Sequence, residues 1–571
     1  MQEGKLKFKD IFDGERILEI PIYQRAYTWE EKQLKDFLED LKNQPEEEKY
    51  FFGTFLFHDK GEDETGFRKL DVVDGQQRIT TAIIFIKTLL DIIKNLDITE
   101  EEKRFIKRVE RRYIKDEDIY KLKPSNNNTA FFFDYILNDS KPPAFESKAQ
   151  KRLIKAKEFF TNELKKLSKE ELKSLLKKLE NAVVLVHTVS NSKDASQIFE
   201  LINDRGKKLT DLEALKSFLM YKTSLSGNYQ LLEKIEDCFS NIYRISERIE
   251  GKLDENKILS YYVIGFLKWT KEEEYSKAKD FIKELINKNE LTISEFCKEL
   301  EETFYNAKKI VFNEDNIKAI DNLKMINRIA MFYPLFLKIY KNSDINTLEE
   351  VANLTYKFAF VSLVAGLRSD TGRSYFYTLA RDFDGDNPEE LINKIKAIFD
   401  ENWWNIKERF KANLYNIYHG NLAKYILFLY ENILREKNNQ KPLDINDYFE
   451  NEHRYKLSIE HILAKDIAKN KFSSKFQNEY LDLIGNLVID YQGANASKGN
   501  KPVDVKKESF KQNNEFLSQQ EIEDIEKEVE NQLSEKFDWE NEEHVKAFIK
   551  YRTEKIMNTI KEIDFLKEIF D

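Results

Sequence analysis

Two neighbouring stretches close to the C-terminus carry residue types that can hydrolyse a phosphodiester. Glu460 and His461 stand side by side, and the amides Asn486 and Asn495 follow a short distance along the chain. A neutral histidine can take a proton from water near neutral pH. Carboxylate and amide oxygens are hard ligands that suit Mg²⁺ or a similar ion such as Mn²⁺. Together these groups are the parts of one-metal phosphodiester hydrolysis.

The elements that hold these groups must meet one geometric condition. Adjacent residues of an extended strand point to opposite faces, so Glu460 and His461 can serve one metal site only where the strand ends or bends. A ββα-metal hairpin supplies this geometry, because its histidine lies near a strand end and a loop and helix return the other ligand. The alternative is a surface histidine beside a glutamate, with Asn486 in a simple turn. The complete set favours the functional interpretation.

A second constellation, Asp74-Gly75-Gln76-Gln77-Arg78, lies between a predicted strand and a predicted helix. Helix N-termini present free N–H groups that bind phosphate, and the guanidinium of Arg78 can grip a phosphate with two N–H groups. Gln76 and Gln77 can orient water or read a base edge, and Asp74 can hold Mg²⁺ or cap the helix. Taken alone, the motif is equally consistent with an ordinary capped turn.

Two more polar segments favour a binding site in the N-terminal region. In Gln24-Arg25-Ala26-Tyr27-Thr28-Trp29 an arginine stands among aromatics, which suits stacking on a base and contact with phosphate; the alternative is an aromatic anchor that only packs. Asn203-Asp204-Arg205-Gly206 ends a predicted helix, where an ordinary joint between helices is the alternative. The sequence has no Walker-type phosphate loop, so any nucleotide hydrolysis must use the Asp74–Arg78 turn.

The two ends of the chain together resemble the GmrSD-type modification-dependent (type IV) restriction endonucleases. Three N-terminal marks of that family, Gln-Arg-x-Tyr-x-Trp, Asp-Gly-Gln-Gln-Arg and Asn-x-Arg-Gly, stand intact in the segments above, and this resemblance covers about residues 8–225. The C-terminal marks, Glu-His-Ile-x-Pro, Gly-Asn-Leu and a later Asn, are found within 441–571, with Ala464 in place of the proline. That departure removes no functional group.

The resemblance implies roles for individual residues. In the C-terminal array His461 would be the general base, Glu460 and Asn495 would hold Mg²⁺ or Mn²⁺, and Asn486 and Lys507 would support the loops. At the N-terminal turn Asp74 and Arg78 would act in hydrolysis of a nucleoside triphosphate. The nucleotide would be bound by the remaining motif residues, which are Gln24, Arg25, Gly75, Gln76, Gln77, Asn203 and Arg205.

Composition and hydrophobic pattern set the expected architecture. A chain of 571 residues should hold two to four domains, and its low content of Gly and Pro favours a mainly helical α+β protein. Buried strands are predicted at 50–57, 69–73 and 182–188, and helices at 79–93, from about 211, at 258–267 and at 348–363. With the resemblance, we expect a ParB-like α/β sensor domain at 1–225, a helical coupling domain at 226–440 and an HNH (ββα-metal) nuclease domain embedded in helices at 441–571.

Charge and cysteine usage exclude several classes of protein. Two cysteines, Cys238 and Cys297, offer neither zinc-site spacing nor a disulfide framework, which fits a cytoplasmic protein. No apolar run is long enough to span a bilayer, so no membrane association is expected. The net charge of −10 argues against a surface coated with nucleic-acid-binding residues, although it allows a local basic groove.

Three functions remain open at this stage. The first is an anti-phage nuclease in which nucleotide-dependent sensing of foreign, modified double-stranded DNA licenses metal-dependent nicking or cleavage, with a homo-oligomer allowed but not required. The second is a DNA-binding sensor whose nuclease domain has decayed. The third is a toxin-like nuclease that acts on host nucleic acid.

Overall fold

The computed structural model describes residues 4–44, 50–64, 66–124, 128–140, 145, 147–190, 210–449, 456–513 and 515–570. The chain is mainly helical, at 65%, and carries a mixed sheet, so the expected α+β class is confirmed. Its contacts divide it into two compact units, residues 1–312 and 313–571. The division into three domains at 225 and 440 stays a prediction.

The first unit is built on a six-stranded mixed sheet in the order β1-β8-β3-β4-β2-β7. Its inner strands run in both directions, since β4 pairs antiparallel with β3 but parallel with β2, and β3 pairs parallel with β8. Strands β5 and β6 form a separate two-stranded hairpin. The strands are β1 (Gly4–Lys7), β2 (Arg16–Ile20), β3 (Phe51–Glu62), β4 (Arg68–Asp74), β5 (Lys115–Asp116), β6 (Ile119–Tyr120), β7 (Leu122–Pro124) and β8 (Val183–Val189).

The helix Gln76–Lys94 is the centre of this unit's core. Apolar residues occupy nearly all of its faces, and Ile83, Phe85 and Leu89 are fully buried. A helix that is apolar all round must be enclosed by other elements, and the sheet and the surrounding helices supply that enclosure. The motif Asp74–Arg78 is therefore fixed where a buried strand meets a buried helix.

The other helices of the first unit are Phe8–Ile11, Glu31–Asn43, Glu100–Tyr113, Thr129–Phe131, the π-helix Phe132–Leu137, Lys148–Leu164, Lys169–Asn181, Asp211–Leu225, Tyr229–Ile249, Glu255–Phe266, Glu272–Ser276, Ala278–Asn287 and Ile293–Phe312. The strands predicted at 50–57, 69–73 and 182–188 are confirmed, although β3 runs five residues further, to Glu62. The helix predicted to end near Gly206 lies outside the described residues.

The second unit is helical apart from one small hairpin. Strands β9 (Leu457–His461) and β10 (Leu487–Tyr491) pair antiparallel. The α-helices are Lys318–Met325, Tyr333–Asn342, Ile345–Val364, Arg373–Asp382, Pro388–Asp400, Ile406–Asn413, Asn421–Lys437, Ile445–Phe449, Lys465–Lys471, Ser474–Glu479, Gln492–Lys498, Val503–Asn513, Leu517–Gln520, Ile522–Leu533, Glu542–Lys561 and Asp564–Phe570. Short 3-10 turns are Ala330–Phe332, Trp403–Asn405 and Ile484–Asn486.

Among the described helices of both units, none is both long and apolar enough to cross a membrane.

Candidate active site

His461 is the last residue of β9, and its ring lies in a polar environment. Its Nε2 is 2.8 Å from Oδ1 of Asp482, and the same oxygen accepts a hydrogen bond from Lys465 at 2.8 Å. The ring of His419 stacks on it, with ring centres 5.3 Å apart and planes 14° from parallel. Burial lowers the pKa of His461 to about 4, although Asp482 opposes that shift, so the ring is neutral at physiological pH.

A backbone contact holds the partners of His461 in place. The amide N–H of His419 donates to the carbonyl of Asp482 at 2.7 Å, and that of Ile484 donates to the carbonyl of Ile417 at 2.9 Å. Burial opposes ionisation of Asp482, yet hydrogen bonds from Lys465 and His461 outweigh burial and lower the pKa of this carboxyl. A negative charge therefore faces Nε2 of His461 and stabilises the tautomer that carries its proton there.

Glu460 is buried and forms an ion pair with Lys506. The side chains of both residues are almost fully buried, and Lys506 also donates to the carbonyl of His461 at 2.7 Å. Burial raises the pKa of Glu460, and the ammonium of Lys506 opposes that rise. Glu460 lies opposite Val488 on β10, and His461 lies opposite Leu487, so the two side chains alternate across the hairpin. Strand β9 ends at His461, which is the position where the two neighbours could still serve one site.

A second buried ion pair lies on the same face of the hairpin as Glu460. Asp490 on β10 accepts a hydrogen bond from Lys498 at 2.6 Å, and both side chains are about 2–3% exposed. Lys498 ends the helix Gln492–Lys498, which also carries Asn495. The Asn495 amide donates to the hydroxyl of Ser458 at 3.0 Å and to the carbonyl of Ile459 at 2.8 Å. Because its nitrogen is used in this way, Asn495 has its Oδ1 left to act as a ligand.

Asn486 is fully buried and fixes the chain on both sides of it. Its Nδ2 donates to the carbonyls of Leu463 and Leu481, and its Oδ1 accepts from the N–H of Leu463 at 2.9 Å. All of its polar atoms are thus used by the backbone. This geometry suits a brace for the loops around the hairpin, and the fully buried amide presents no oxygen to solvent.

Gly485 is required by a close approach of the helix Glu542–Lys561. A Cβ at this position would lie 2.0 Å from the carbonyl oxygen of Ile549. The same helix contributes Arg552, which is fully buried and donates to the carbonyls of Gly485 and Leu487. Burial lowers the pKa of Arg552. The Gly-Asn-Leu motif is therefore a packing motif here.

The oxygen atoms of Glu460 and Asn495 are of the type that a divalent ion prefers. Mg²⁺ is commonly held by one or two carboxylates with the rest of its shell filled by water, and a Glu460 oxygen with Oδ1 of Asn495 fits that pattern chemically. The ammonium of Lys506 already neutralises the Glu460 carboxylate, so an ion bound here would have to share or replace that pair. Within the described ranges, no group of three or more His, Cys, Asp or Glu side chains could hold a metal by itself. Lys507 points elsewhere and pairs with Glu526 at 2.8 Å.

The N-terminal turn begins its helix without a side-chain cap. Gly75 is the N-cap residue with φ +97°, and a Cβ there would lie 2.3 Å from the ring of Phe55. The interpretation of Asp74 as the cap is therefore wrong, because the cap position is taken by a residue with left-handed backbone. Asp74 instead lies 3.4 Å from Arg78, and burial raises the pKa of its carboxyl, with Arg78 opposing.

Arg78 packs against the neighbouring strand β3. Its Nη2 donates to the carbonyl of Thr54 at 2.8 Å, and the guanidinium lies 5.0 Å from the centre of the Phe55 ring. A Cβ on Gly53, whose φ is +117°, would lie 1.8 Å from Nη1 of Arg78. The guanidinium therefore packs directly against the backbone of Gly53, and a side chain at position 53 would collide with it.

The two glutamines connect the helix to the segment that precedes Trp29. Gln76 donates to the side chain of Gln24 at 3.1 Å, and Gln24 donates to the carbonyl of Val73 at 3.0 Å. Gln77 donates to the carbonyl of Ala26 at 3.1 Å and accepts from the N–H of Thr28 at 2.9 Å. The side-chain amides of these three glutamines are therefore hydrogen-bonded to one another or to nearby backbone groups.

A second helix, Asp211–Leu225, holds the same segment from its other side. Arg25 pairs with Glu213 at 2.9 Å. Lys216 is buried, donates to the carbonyl of Tyr23 at 2.9 Å and lies 3.8 Å from the centre of its ring. Burial lowers the pKa of Lys216 to about 7. Asn203 and Arg205, the remaining predicted nucleotide ligands, lie outside the described residues.

Comparison with known protein families matches both ends of the chain. The model of the GmrSD restriction endonuclease N-terminal domain matches residues 8–220, and that of the GmrSD restriction endonuclease C-terminal domain matches residues 401–558. The chain belongs to the GmrSD restriction endonuclease family. It is accordingly an endonuclease of phage defence whose substrate is DNA. No individual curated protein matches it.

Sequence reasoning missed three groups around His461 and Glu460 of this GmrSD-family chain. Asp482 and His419 contact the ring of His461, and Lys506 pairs with Glu460. The C-terminal match includes all three positions. His419 lies outside the motifs and gave no spacing signal, and in the C-terminal array only Lys507, not its neighbour Lys506, was given a role. For Asp482, its position three residues before Gly485 was the one indication in the sequence.

Proposed function

We propose that the chain cleaves DNA by metal-dependent attack of water, with His461 as the general base. The observation that carries this proposal is the His461–Asp482 contact. Because Nε2 faces the Asp482 carboxylate, Nδ1 is the nitrogen that can accept a proton from water, and it makes no hydrogen bond to the described part of the chain. A base oriented by a carboxylate in this way is a recurring device of hydrolytic enzymes.

Glu460 and Asn495 are the proposed ligands of Mg²⁺ or Mn²⁺ in an HNH-like site. When bound, the ion would polarise a phosphate oxygen and stabilise the leaving oxygen. The chain's own residues do the rest. Asn486 holds the backbone on either side of the site, Asp482 fixes the His461 ring, and the ring accepts the proton of the attacking water.

The ParB-like N-terminal domain is proposed to bind and hydrolyse a nucleoside triphosphate and to sense modified phage DNA. Asp74 and Arg78 face each other at the start of a long buried helix, which is a suitable place for phosphate. The glutamines of the motif already bond to the chain, so their proposed part is to hold Gln24 and Arg25 in position for the nucleotide. Hydrolysis in this domain would license cleavage by the other.

The proposal is tested by cleavage of phage DNA with the full chain. Modified and unmodified DNA are each incubated with Mg²⁺ or Mn²⁺ and with each nucleoside triphosphate, and nicked and linear products are measured. We expect cleavage of modified DNA with one or more nucleotides, and a loss of about 10²–10⁴-fold in His461→Ala. Arg78→Ala should lose nucleotide hydrolysis together with nucleotide-stimulated cleavage.

His419→Ala is the matched control, because it removes an imidazole that stacks on His461 but holds no proton-transfer role in this mechanism. It should keep activity within about tenfold of the unchanged chain. Absence of cleavage under every metal and nucleotide condition would contradict the proposal, as would full activity of His461→Ala. Phage protection that survives His461→Ala would favour the non-catalytic sensor instead.

A further inference from the structure

A groove between two helices of the first unit is lined by more basic than acidic side chains. It measures about 790 Å³ and lies between the helices Tyr229–Ile249 and Ile293–Phe312. Neither family match reaches this part of the chain, since the matches cover 8–220 and 401–558. Its chemistry is therefore not explained by the family motifs.

The cations of this groove lie on facing helix surfaces. Arg244 and Arg248 are one turn apart on the first helix, and Lys298 and Lys308 line the groove from the second. Arg244, Arg248 and Lys298 are exposed, and none of these three forms an ion pair with another residue in the described ranges. Unpaired cations that converge on a concave surface create a local positive potential even in a chain of net charge −10.

Acidic residues in the groove do not cancel this charge. Its lining holds two carboxylates, Glu301 and Glu302, against the four cations. Glu301 already accepts a hydrogen bond from the Asn241 side chain at 2.8 Å. The groove thus keeps a positive excess that a polyanion can use.

Aromatic rings accompany the cations along the second helix. Tyr305 is 47% exposed and lies within 4.9 Å of the Lys308 ammonium. Phe312, seven residues further along the same helix, is 42% exposed, with Lys252 at 4.4 Å from its ring centre. Arginine, lysine and tyrosine side chains are the usual donors to phosphate oxygens and sugars of DNA. Such contacts position a duplex without reading its sequence.

We propose that this groove binds the phosphate backbone of the duplex DNA that the enzyme acts on. Arg244, Arg248 and Lys298 contact consecutive phosphates of one strand, and Tyr305 lies beside the sugar–phosphate chain. The groove is a sequence-independent docking surface, separate from the Asp74–Arg78 turn and from the His461 site. This inference rests on the proposed function in one respect, which is that DNA is the substrate.

The test measures binding of a fluorescent DNA duplex of about 30 base pairs to the full chain in EDTA, over a range of NaCl concentrations. The groove variant combines Arg244→Gln, Arg248→Gln and Lys298→Gln. Each lost phosphate contact should lower the slope of log affinity against log salt by about 0.9, so the slope should fall by about 2–3. At about 100 mM NaCl the dissociation constant should rise about tenfold or more.

The matched control removes three exposed lysines that do not line the groove, in the combined variant Lys151→Gln, Lys155→Gln and Lys177→Gln. It carries the same change in net charge and should bind duplex within about twofold of the unchanged chain, with the same slope. Melting curves followed by circular dichroism should coincide for all three proteins, since every substituted side chain is exposed.

Two results would overturn the inference. One is a groove variant whose duplex affinity and salt slope equal those of the control. The other is a variant that loses affinity for a single strand of the same length but keeps its affinity for the duplex. Failure of the proposed function is distinguishable, because His461→Ala should lose cleavage and keep duplex binding, whereas an unchanged chain that binds no DNA would contradict both proposals.

Discussion

The two motif regions use polar residues in different ways. At the N-terminal turn, neutral amides bond to one another and to the backbone, as Gln76 does with Gln24 and Gln77 with Ala26 and Thr28. At the end of β9, charged groups are buried in pairs, as Glu460 is with Lys506. Neutral bonds cost little to rearrange, whereas a buried charge that loses its partner is expensive. The first region is thus suited to changing its contacts and the second to holding a fixed charge pattern.

Removal of Lys506 should have the largest effect on stability. Lys506→Met leaves the Glu460 carboxylate buried without its partner, and loss of one member of a buried pair costs about 3–5 kcal/mol. Urea unfolding should show this loss, and Mn²⁺ should restore stability to the variant because the ion can replace the ammonium beside Glu460. Lys507→Met is the control on the next residue of the same helix, where the pair with Glu526 is partly exposed and is worth about 1 kcal/mol or less.

Equal unfolding free energies for Lys506→Met and Lys507→Met would remove the contrast between the two regions. They would mean that the Glu460 pocket tolerates an unpaired acid. A double variant, Glu460→Gln with Lys506→Met, should recover part of the lost stability, since it removes both charges together. A double variant as unstable as Lys506→Met would point to lost packing of the lysine stem as the cause.

Loss of the carboxylate at Asp482 should affect the reaction more than the fold. Asp482→Asn keeps the size of the side chain but removes the charge that holds the proton on Nε2 of His461. We expect kcat to fall about 10²-fold with little change in the melting temperature. Glu479→Gln, which removes an exposed acid nearby, should leave kcat unchanged. An Asp482→Asn enzyme with ordinary kcat would show that the His461 ring is oriented by other contacts.

Much of the fold could be predicted from the sequence, because local pattern determines it. The apolar run of β4, the turn at Gly75 and the apolar helix Gln76–Lys94 follow one another within a short stretch, and each is visible in the residues themselves. The C-terminal site was predictable only in outline. The contacts of His461 with Asp482 and His419, and of Glu460 with Lys506, join residues 21 to 46 positions apart. Such pairs depend on how loops and helices return to the hairpin, which periodicity does not indicate.

The roles of the two glutamines of the Asp74–Arg78 motif also could not be predicted from the sequence. Gln76 and Gln77 are adjacent in one motif, and either could bind a ligand or the chain. Gln77 contacts the backbone on both sides of Tyr27 because the segment before Trp29 lies against this helix. That arrangement is a tertiary one, and residue type alone could not distinguish it from a nucleotide contact.

Gln77→Ala should destabilise the first unit by a smaller amount than Lys506→Met destabilises the second. It removes two hydrogen bonds to the backbone, each worth about 0.5–1.5 kcal/mol, so about 1–3 kcal/mol is expected. Gln76→Ala is the control, because it removes a single bond to the Gln24 side chain and should cost about 1 kcal/mol or less. Chemical denaturation measures both. A loss in Gln77→Ala as large as in Lys506→Met would show that the N-terminal contacts are as costly to break as the buried ion pair.

Counted per pH unit, the smallest expected effect concerns Lys216, a buried ammonium that lies beside Tyr23. It contacts the ring and carbonyl of Tyr23 and has no ion-pair partner in the described ranges, and burial lowers its pKa to about 7 from the ordinary value of 10.5, with Glu236 and Glu213 opposing. Between these two values the unfolded chain holds a proton that the folded chain has released. Stability should therefore rise with pH through this window, by at most about 1.4 kcal/mol per pH unit, and the contribution should be constant below pH 7.

The measurement is the unfolding free energy of the first unit at several pH values, for the unchanged chain and for Lys216→Met. The difference between the two curves should slope between about pH 7 and 10 and be flat below, because other titrating groups cancel in the difference. Lys222→Met, on the same helix and bonded to the carbonyl of Ile286, should keep the slope of the unchanged chain. A flat difference for Lys216→Met would mean that this ammonium keeps its proton. In that case the two regions would differ only in how many charges they bury. A sloping difference would instead mean that a buried lysine keeps its charge only when a carboxylate pairs with it, as Glu460 pairs with Lys506.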